Sequence, residues 1–209
     1  MKLLHIIASP RGEKSRTLSV SSAFLSSLKA NNPDILVDEL DLFEVKLPEV
    51  CGGAIDAKYT LMSGGSLDEQ SKNSWEKTLE FSSNFVTYDA YLISSPMWNF
   101  SIPYKLKHYI DVIMQAGILF SFTEKGVEGL VKNKKMFCVT SRGNDYSSGS
   151  QMQQYDFQEP YLRAIFGFAG IYDITFIHAQ PMDFTPGITE ANLNKAKDEA
   201  GILAQSSFI

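Results

Sequence analysis

Ala90-Tyr91-Leu92-Ile93-Ser94-Ser95-Pro96-Met97-Trp98-Asn99-Phe100-Ser101-Ile102-Pro103 is the stretch that decides how this chain is read. Its first six residues form a short, largely apolar run of the length of a buried strand. Pro96 lacks the N–H that further strand pairing would use, and Pro103 suits the opening turn of a helix. Beyond it, Ile102, Leu106, Ile110 and Ile113 recur at helical spacing and predict a helix over 104–115. Residues 97–100 therefore occupy a loop at the carboxyl end of a strand, where open α/β sheets bind their ligands. Met97, Trp98 and Phe100 offer apolar surface, and Asn99 adds a side-chain amide. Together with backbone N–H groups they suit a flat heteroaromatic ring with hydrogen-bonding edges. The same aromatics could equally serve as a cap on the core.

Working outward, residues 3–8 form a continuous apolar run, the pattern of a strand covered on both faces. His5 within it reads as a core histidine. The following loop, Ser9-Pro10-Arg11-Gly12-Glu13-Lys14-Ser15-Arg16-Thr17, opens a helix whose Val20, Phe24 and Leu28 share one face. Ser15 and Thr17 stand where that helix begins, with Arg11, Lys14 and Arg16 close by, an arrangement able to receive an anion. A solvated N-cap would leave the same trace. The loop has no G-x-G-x-x-G and no G-x-x-x-x-G-K-[ST], which disfavours a dinucleotide crossover and a nucleotide-hydrolysing cradle. Neither Cys51 nor Cys138 falls in it, so it lacks the thiolate of a cysteine phosphatase.

Further strands are predicted over 35–42, 136–140 and 171–179. A short helical turn is expected near 54–62, and a helix capped by Ser66 or Ser71 runs to about Val86. Two more helices are expected over 155–169, with Pro160 in the opening turn, and over 189–206. Residues 116–126 read as an apolar excursion from the main sheet, of the kind that serves a partner chain. Ser141-Arg142-Gly143-Asn144 follows the fourth strand and can bond the polar edge of a ring. The alternation gives an α/β fold with five parallel strands in the order 2-1-3-4-5 and helices on both faces. In that order the loops after strands one, three and four open on one edge. Together, one anion grip, one aromatic face and one polar edge fit a flat, phosphorylated cofactor: flavin mononucleotide, FMN.

Composition is consistent with this. A chain of 209 residues, 44% hydrophobic, can bury a core as one domain over 1–209. A net charge of -5 argues against a nucleic-acid partner, and the two cysteines show no spacing for a zinc site, so no metal is expected. The amino-terminal apolar run is too short for a signal peptide or a membrane span, which predicts a cytoplasmic protein without a membrane partner.

Ser9-Pro10-Arg11 with Ser15, Ser95-Pro96-Met97-Trp98-Asn99-Phe100 with Leu106-Lys107-Tyr109-Asp111, and Thr140-Ser141-Arg142-Gly143 together resemble the FMN-dependent NADH-azoreductase family. That family is a branch of the flavodoxin-like quinone reductases. The resemblance implies a flavodoxin-like three-layer sandwich and reduction of quinones or azo compounds by NADH or NADPH, in ping-pong two-electron transfer through flavin N5. It assigns Ser9, Ser15, Arg16 and Thr17 to the FMN phosphate, and Pro96, Met97, Trp98, Asn99 and Phe100 to the ring. Ser141, Arg142, Gly143 and Asn144 fall to the pyrimidine side. It further implies a homodimer with active sites at the interface, where Phe122 and Phe168 join Asn99 and Phe100 around the substrate, and no side chain acting as catalytic nucleophile. The chain departs from the family pattern at Arg16-Thr17, where Gln-Ser is frequent, at Asn144 in place of a second glycine, and in a longer 145–154 segment. An electron carrier or flavin-binding signalling module of the same fold is the alternative.

Overall fold

A computed structural model describes residues 1–50, 52–63 and 65–207; Cys51 and Gly64 lie outside the described residues. The strands are β1 (Lys2–Ile7), β2 (Leu36–Asp41), β3 (Ala90–Pro96), β4 (Phe120–Thr123), β5 (Gly126–Gly129), β6 (Lys135–Ser141) and β7 (Asp173–Ala179). The helices are α1 (Arg16–Asn31), α2 (Gly52–Met62), α3 (Glu69–Val86), α4 (Tyr104–Ile113), α5 (Gln158–Phe168) and α6 (Pro186–Ser206).

Five strands pair in parallel in the order β2-β1-β3-β6-β7. This differs from the expected numbering 2-1-3-4-5 because an antiparallel hairpin, β4-β5, comes between the third and fourth strands of the main sheet. The central strands β1, β3 and β6 are buried almost without interruption, as their apolar runs require when both faces are covered. Alternate residues of each strand feed different layers. Leu4, Ile6, Tyr91, Ile93, Met136 and Cys138 pack with residues of α3, α4 and α5. Leu3, Leu92, Phe137 and Val139 pack instead with Val20, Phe24 and Leu28 of α1 and the alanines Ala196, Ala200 and Ala204 of α6.

Local chemistry moves several boundaries. The cap of α3 is Asp68, whose carboxylate accepts the Ser71 amide at 2.8 Å, and not Ser66 or Ser71. A carboxylate is the stronger acceptor at a helix start, where the free amides carry partial positive charge. α5 begins at Gln158, because residues 153–155 form a separate single turn. α6 starts earlier than expected, at Pro186, whose fixed φ and missing N–H fit a first helical turn. Among the described residues no helix is long and apolar enough to cross a membrane.

The hairpin docks on the end of α5 through glycine. A Cβ placed on Gly129 would lie 2.3 Å from the Gly170 nitrogen and 2.5 Å from the Ala169 carbonyl carbon, both backbone atoms that cannot swing away. Gly170 itself has φ +102, a conformation that favours glycine. Val131 N donates to Ala169 O at 2.9 Å beside this contact. Gly129→Ala must therefore push the hairpin off α5. A loss of about 1–3 kcal/mol is expected. Calorimetry should show the melting temperature falling by about 2–4 °C for each kcal/mol lost.

Candidate functional site

Four loops leave the carboxyl ends of β1, β3, β6 and β7 and meet at one rim, as the parallel order dictates. Between them lies a cavity of about 230 Å³ lined by Ser9, Pro10, Arg11, Ser15, Arg16, Thr17, Pro96, Met97, Trp98, Ser141, Arg142, Gly143, Met182 and Asp183.

On one side stands the start of α1. Ser15 is its N-cap, and its hydroxyl accepts the Leu18 amide at 3.2 Å. Ser9 Oγ and Ser15 Oγ lie 2.7 Å apart, and Thr17 Oγ1 and Ser141 Oγ are also 2.7 Å apart. Each pair holds two hydroxyl hydrogens and spends one on its internal bond, so one per pair is left to donate. The first-turn amides of α1 and the Arg16 guanidinium complete a donor-rich wall. Arg16 Nη1 donates to Met182 O at 2.8 Å and to Asp183 Oδ1 at 3.1 Å.

Opposite, Trp98 N donates to Ser101 O at 2.9 Å and Ser101 N to Trp98 O at 3.0 Å, closing a two-residue turn. Its tip residues, Asn99 and Phe100, have φ 47 and 70. Such paired positive φ values define a primed turn, which Asn tolerates and a bulky Phe rarely adopts. Phe100 is held by its stack on Tyr155, at 5.3 Å between ring centroids, and by its carbonyl, which accepts Phe157 N at 3.0 Å. Trp98 packs beside Phe43 and Tyr104, on partners other than the Tyr155 that holds Phe100. Met97 N donates to Ser141 O at 2.9 Å and ties this loop to the one after β6.

Arg142 lines the cavity, but its side chain is 1% exposed and turns inward. Nη1 meets Asp156 Oδ2 at 2.9 Å and Nε meets Gln158 Oε1 at 3.1 Å. The reason is electrostatic: a buried cation needs a partner, and Asp156 supplies it. Burial presses the guanidinium below its ordinary pKa, and Asp156 opposes that shift. Gln158 in turn donates to Ser95 O at 3.2 Å and Pro96 O at 3.1 Å, so Arg142 braces the aromatic loop from behind.

Of the residues singled out from sequence, Ser9, Ser15, Arg16, Thr17, Pro96, Met97, Trp98, Ser141, Arg142 and Gly143 come together on this cavity. Asn99, Phe100 and Asn144 stand beside it and are not on its wall. Phe122 and Phe168 are placed elsewhere, around Phe120 on the hairpin and α5. The sequence reading missed Met182 and Asp183. The strand order could have found them, since the loop after the last strand opens on the same rim.

Beneath the rim, Thr140 Oγ1 and His178 Nδ1 are 2.7 Å apart, and His178 Nε2 lies 2.8 Å from Glu159 Oε2. This hydrogen bond, with help from Arg163, brings the Glu159 carboxyl down from 4.5 to about 2. A carboxyl with a depressed folded-state pKa adds stability above its unfolded pKa and loses it as pH falls toward the folded value. Urea unfolding of the protein and of Glu159→Gln should therefore show a wild-type advantage at pH 6. That advantage should shrink by on the order of 1–2 kcal/mol, allowing for solvent screening, between about pH 5 and pH 2.

Comparison with known proteins bears on this geometry. Residues 1–202 match the family model described as flavodoxin-like fold. The chain is 38% identical over 207 residues to FMN-dependent NADH:quinone oxidoreductase 3 of Pseudomonas fluorescens strain Pf-5, covering 98% of this chain and 96% of that protein. The azoreductase of Bacillus anthracis strain Sterne superposes with a TM-score of 0.90 at 27% identity, covering 98% of this chain and 99% of that one. An FMN-dependent NADH-azoreductase of Bacillus anthracis strain Ames Ancestor, solved in complex with FMN, gives 0.85 at 28% identity, covering 97% and 99%.

Proposed function

The chain belongs to the flavodoxin-like family that includes the FMN-dependent NADH:quinone oxidoreductases, and on that premise we propose that it reduces quinones and azo compounds with electrons from NADH or NADPH, using bound FMN. The carrying observation is the gathering on one cavity of a donor-rich wall and of Pro96, Met97 and Trp98, which lead into the aromatic turn.

The residues present fit the cofactor. A phosphate dianion accepts hydrogen bonds, and the wall made by Ser9, Ser15, Thr17 and the start of α1 holds unspent hydroxyl hydrogens and free amides. Arg16 adds a cation whose remaining nitrogens are open to the cavity's phosphate end. Pro96, Met97, Trp98, Asn99 and Phe100 would flank the isoalloxazine ring, with Ser141, Arg142, Gly143 and Asn144 at its pyrimidine side. The part of Arg142 is bracing, since its charge is taken up by Asp156. When bound, FMN supplies the two-electron redox chemistry, and the protein positions it and tunes it.

The rest of the work falls to the chain's own groups. The tip amides of Asn99 and Phe100 take no part in the turn's internal hydrogen bonds, so they can bond an acceptor on the ring edge. Held by the turn, they stay aimed without reorganising, which is where preorganised donors are most effective. Trp98, backed by Phe43, would cover one side of the slot. No side chain need act as nucleophile. NADH and then the acceptor would use the same slot in turn, which gives ping-pong kinetics.

The site is best completed by a second copy of the chain. A cavity near 230 Å³ is smaller than the roughly 300–1,000 Å³ of pockets that enclose whole ligands. Phe122 and Phe168 are 65% and 41% exposed and both pack on Phe120, forming an apolar patch that a partner would cover. In a homodimer, Phe122 of the partner subunit and Phe168 of the partner subunit would close the substrate slot. We place this enzyme in the cytoplasm, in keeping with the absence of a membrane-spanning helix among the described residues.

Purified protein should carry, or take up, flavin with its yellow absorbance, and anaerobic NADH should bleach it. Added quinone should restore the colour, with parallel lines in double-reciprocal plots. Colourless protein that ignores added FMN would refute the reading. Asn99→Leu removes the side-chain amide and sets a branched apolar residue at φ 47, which should misplace the tip amides and weaken flavin retention or slow its reduction by about tenfold or more; unchanged spectra and rates would remove Asn99 from the site.

A further inference from the structure

One group on the cavity wall runs against the anion reading. Asp183 puts a carboxylate at the same end as Ser9, Ser15 and Thr17. It follows the Gln180–Pro181 bond in the loop after β7 and is fixed there by its amide, which donates to Gly143 O at 3.0 Å. Its Oδ1 meets Arg16 Nη1 at 3.1 Å. Its Oδ2 lies over Gly143, only 2.5 Å from where a Cβ would stand on that residue. The carboxylate thus occupies the side-chain space that glycine leaves free. Of the charged side chains lining the cavity, Arg142 is matched by Asp156 and Arg16 by Asp183. Arg11 is then the lining cation with no ion pair among the described residues, and it is exposed.

We propose that Asp183 is a counter-charge built into the phosphate end of the site, which shares Arg16 with the incoming phosphate and sets how tightly the phosphorylated cofactor is held. The inference rests on the FMN reading above. Arg16 remains oriented by Met182 O, so Asp183 is not needed to aim it. The carboxylate therefore acts against the phosphate in two ways: it repels the dianion, and it claims part of the guanidinium. Because Asp183 is 76% exposed, the contact is screened by water, and its effect has the scale of one surface charge pair.

The test is a titration of FMN, and separately of riboflavin, into full-length protein freed of flavin, followed by quenching of flavin fluorescence. Asp183→Asn keeps an acceptor for Arg16 but removes the charge, and Asp183→Ser serves as a second variant should the first fold poorly. The ratio of the riboflavin to the FMN dissociation constant should widen by about three- to tenfold in either variant. The widening should largely vanish at about 1 M salt, where the screening length is near 3 Å. It should also shrink in an Arg16→Gln background, because the pair acts together. An unchanged ratio, a narrowed one, or a gain that persists in high salt would overturn the proposal while leaving the FMN reading intact. If neither flavin binds the unaltered protein, the FMN reading itself falls and this one with it.

Discussion

A buried guanidinium holds the rim of this molecule together. Arg142 sits behind the cavity with almost none of its side chain exposed, and an unpaired cation there would be strongly unfavourable. Its neutralisation fixes more than its own position. Asp156 gives one oxygen to Arg142 and uses the other to accept the Gln158 and Glu159 amides at the start of α5. Gln158 accepts from Arg142 and donates to the carbonyls of Ser95 and Pro96. The Arg142 backbone pairs with Ala179 and Met182. One side chain and its backbone thereby connect the ends of β3, β6 and β7 with the start of α5. Removing any member would leave buried polar atoms without partners, which costs more than the bond itself contributes.

That brace makes sense of the strained turn in front of it. Asn99 and Phe100 both adopt left-handed backbone, and only Asn does so readily. Strain of this kind persists where the surroundings over-determine it. Here Gln158 grips the residues entering the turn, Tyr155 stacks on Phe100, and Phe157 donates to its carbonyl. All three partners belong to the same short stretch that leads into α5. The segment between β6 and α5, which read in the sequence as a hydrophilic loop of unusual length, is thus the scaffold of the aromatic turn.

This division also marks what could be read from sequence. The apolar runs at 3–8, 91–94 and 136–140 gave away the central strands, because a strand buried on both faces has no polar alternation to blur it. Ser15 as N-cap was legible for a similar reason: the signal is local, a hydroxyl just before a helical period. The inward turn of Arg142 was not, since its partner is 14 residues away and an arginine among serines and glycine looks solvated. Asp183 lies further off still, 167 residues from the Arg16 it meets. Asp68 as the cap of α3 lost out to nearby serines in the sequence reading because several cap-forming residues stood in a row. Local signals survive translation into structure; pairings across the sheet need the topology first.

The topology also explains why some of the site residues read from sequence are buried and others exposed. The hydroxyl-rich wall is built at the start of α1, where Ser9 pairs with Ser15 and Thr17 with Ser141 at the end of β6. The opposite end is a tip of aromatics, and the hairpin that carries Phe122 points its ring to solvent. Gly129 holds the hairpin against the end of α5 at backbone contact. The donor-rich wall is thus complete within the chain, while the rings of Phe122, Phe120 and Phe168 form a separate apolar patch on the hairpin and α5.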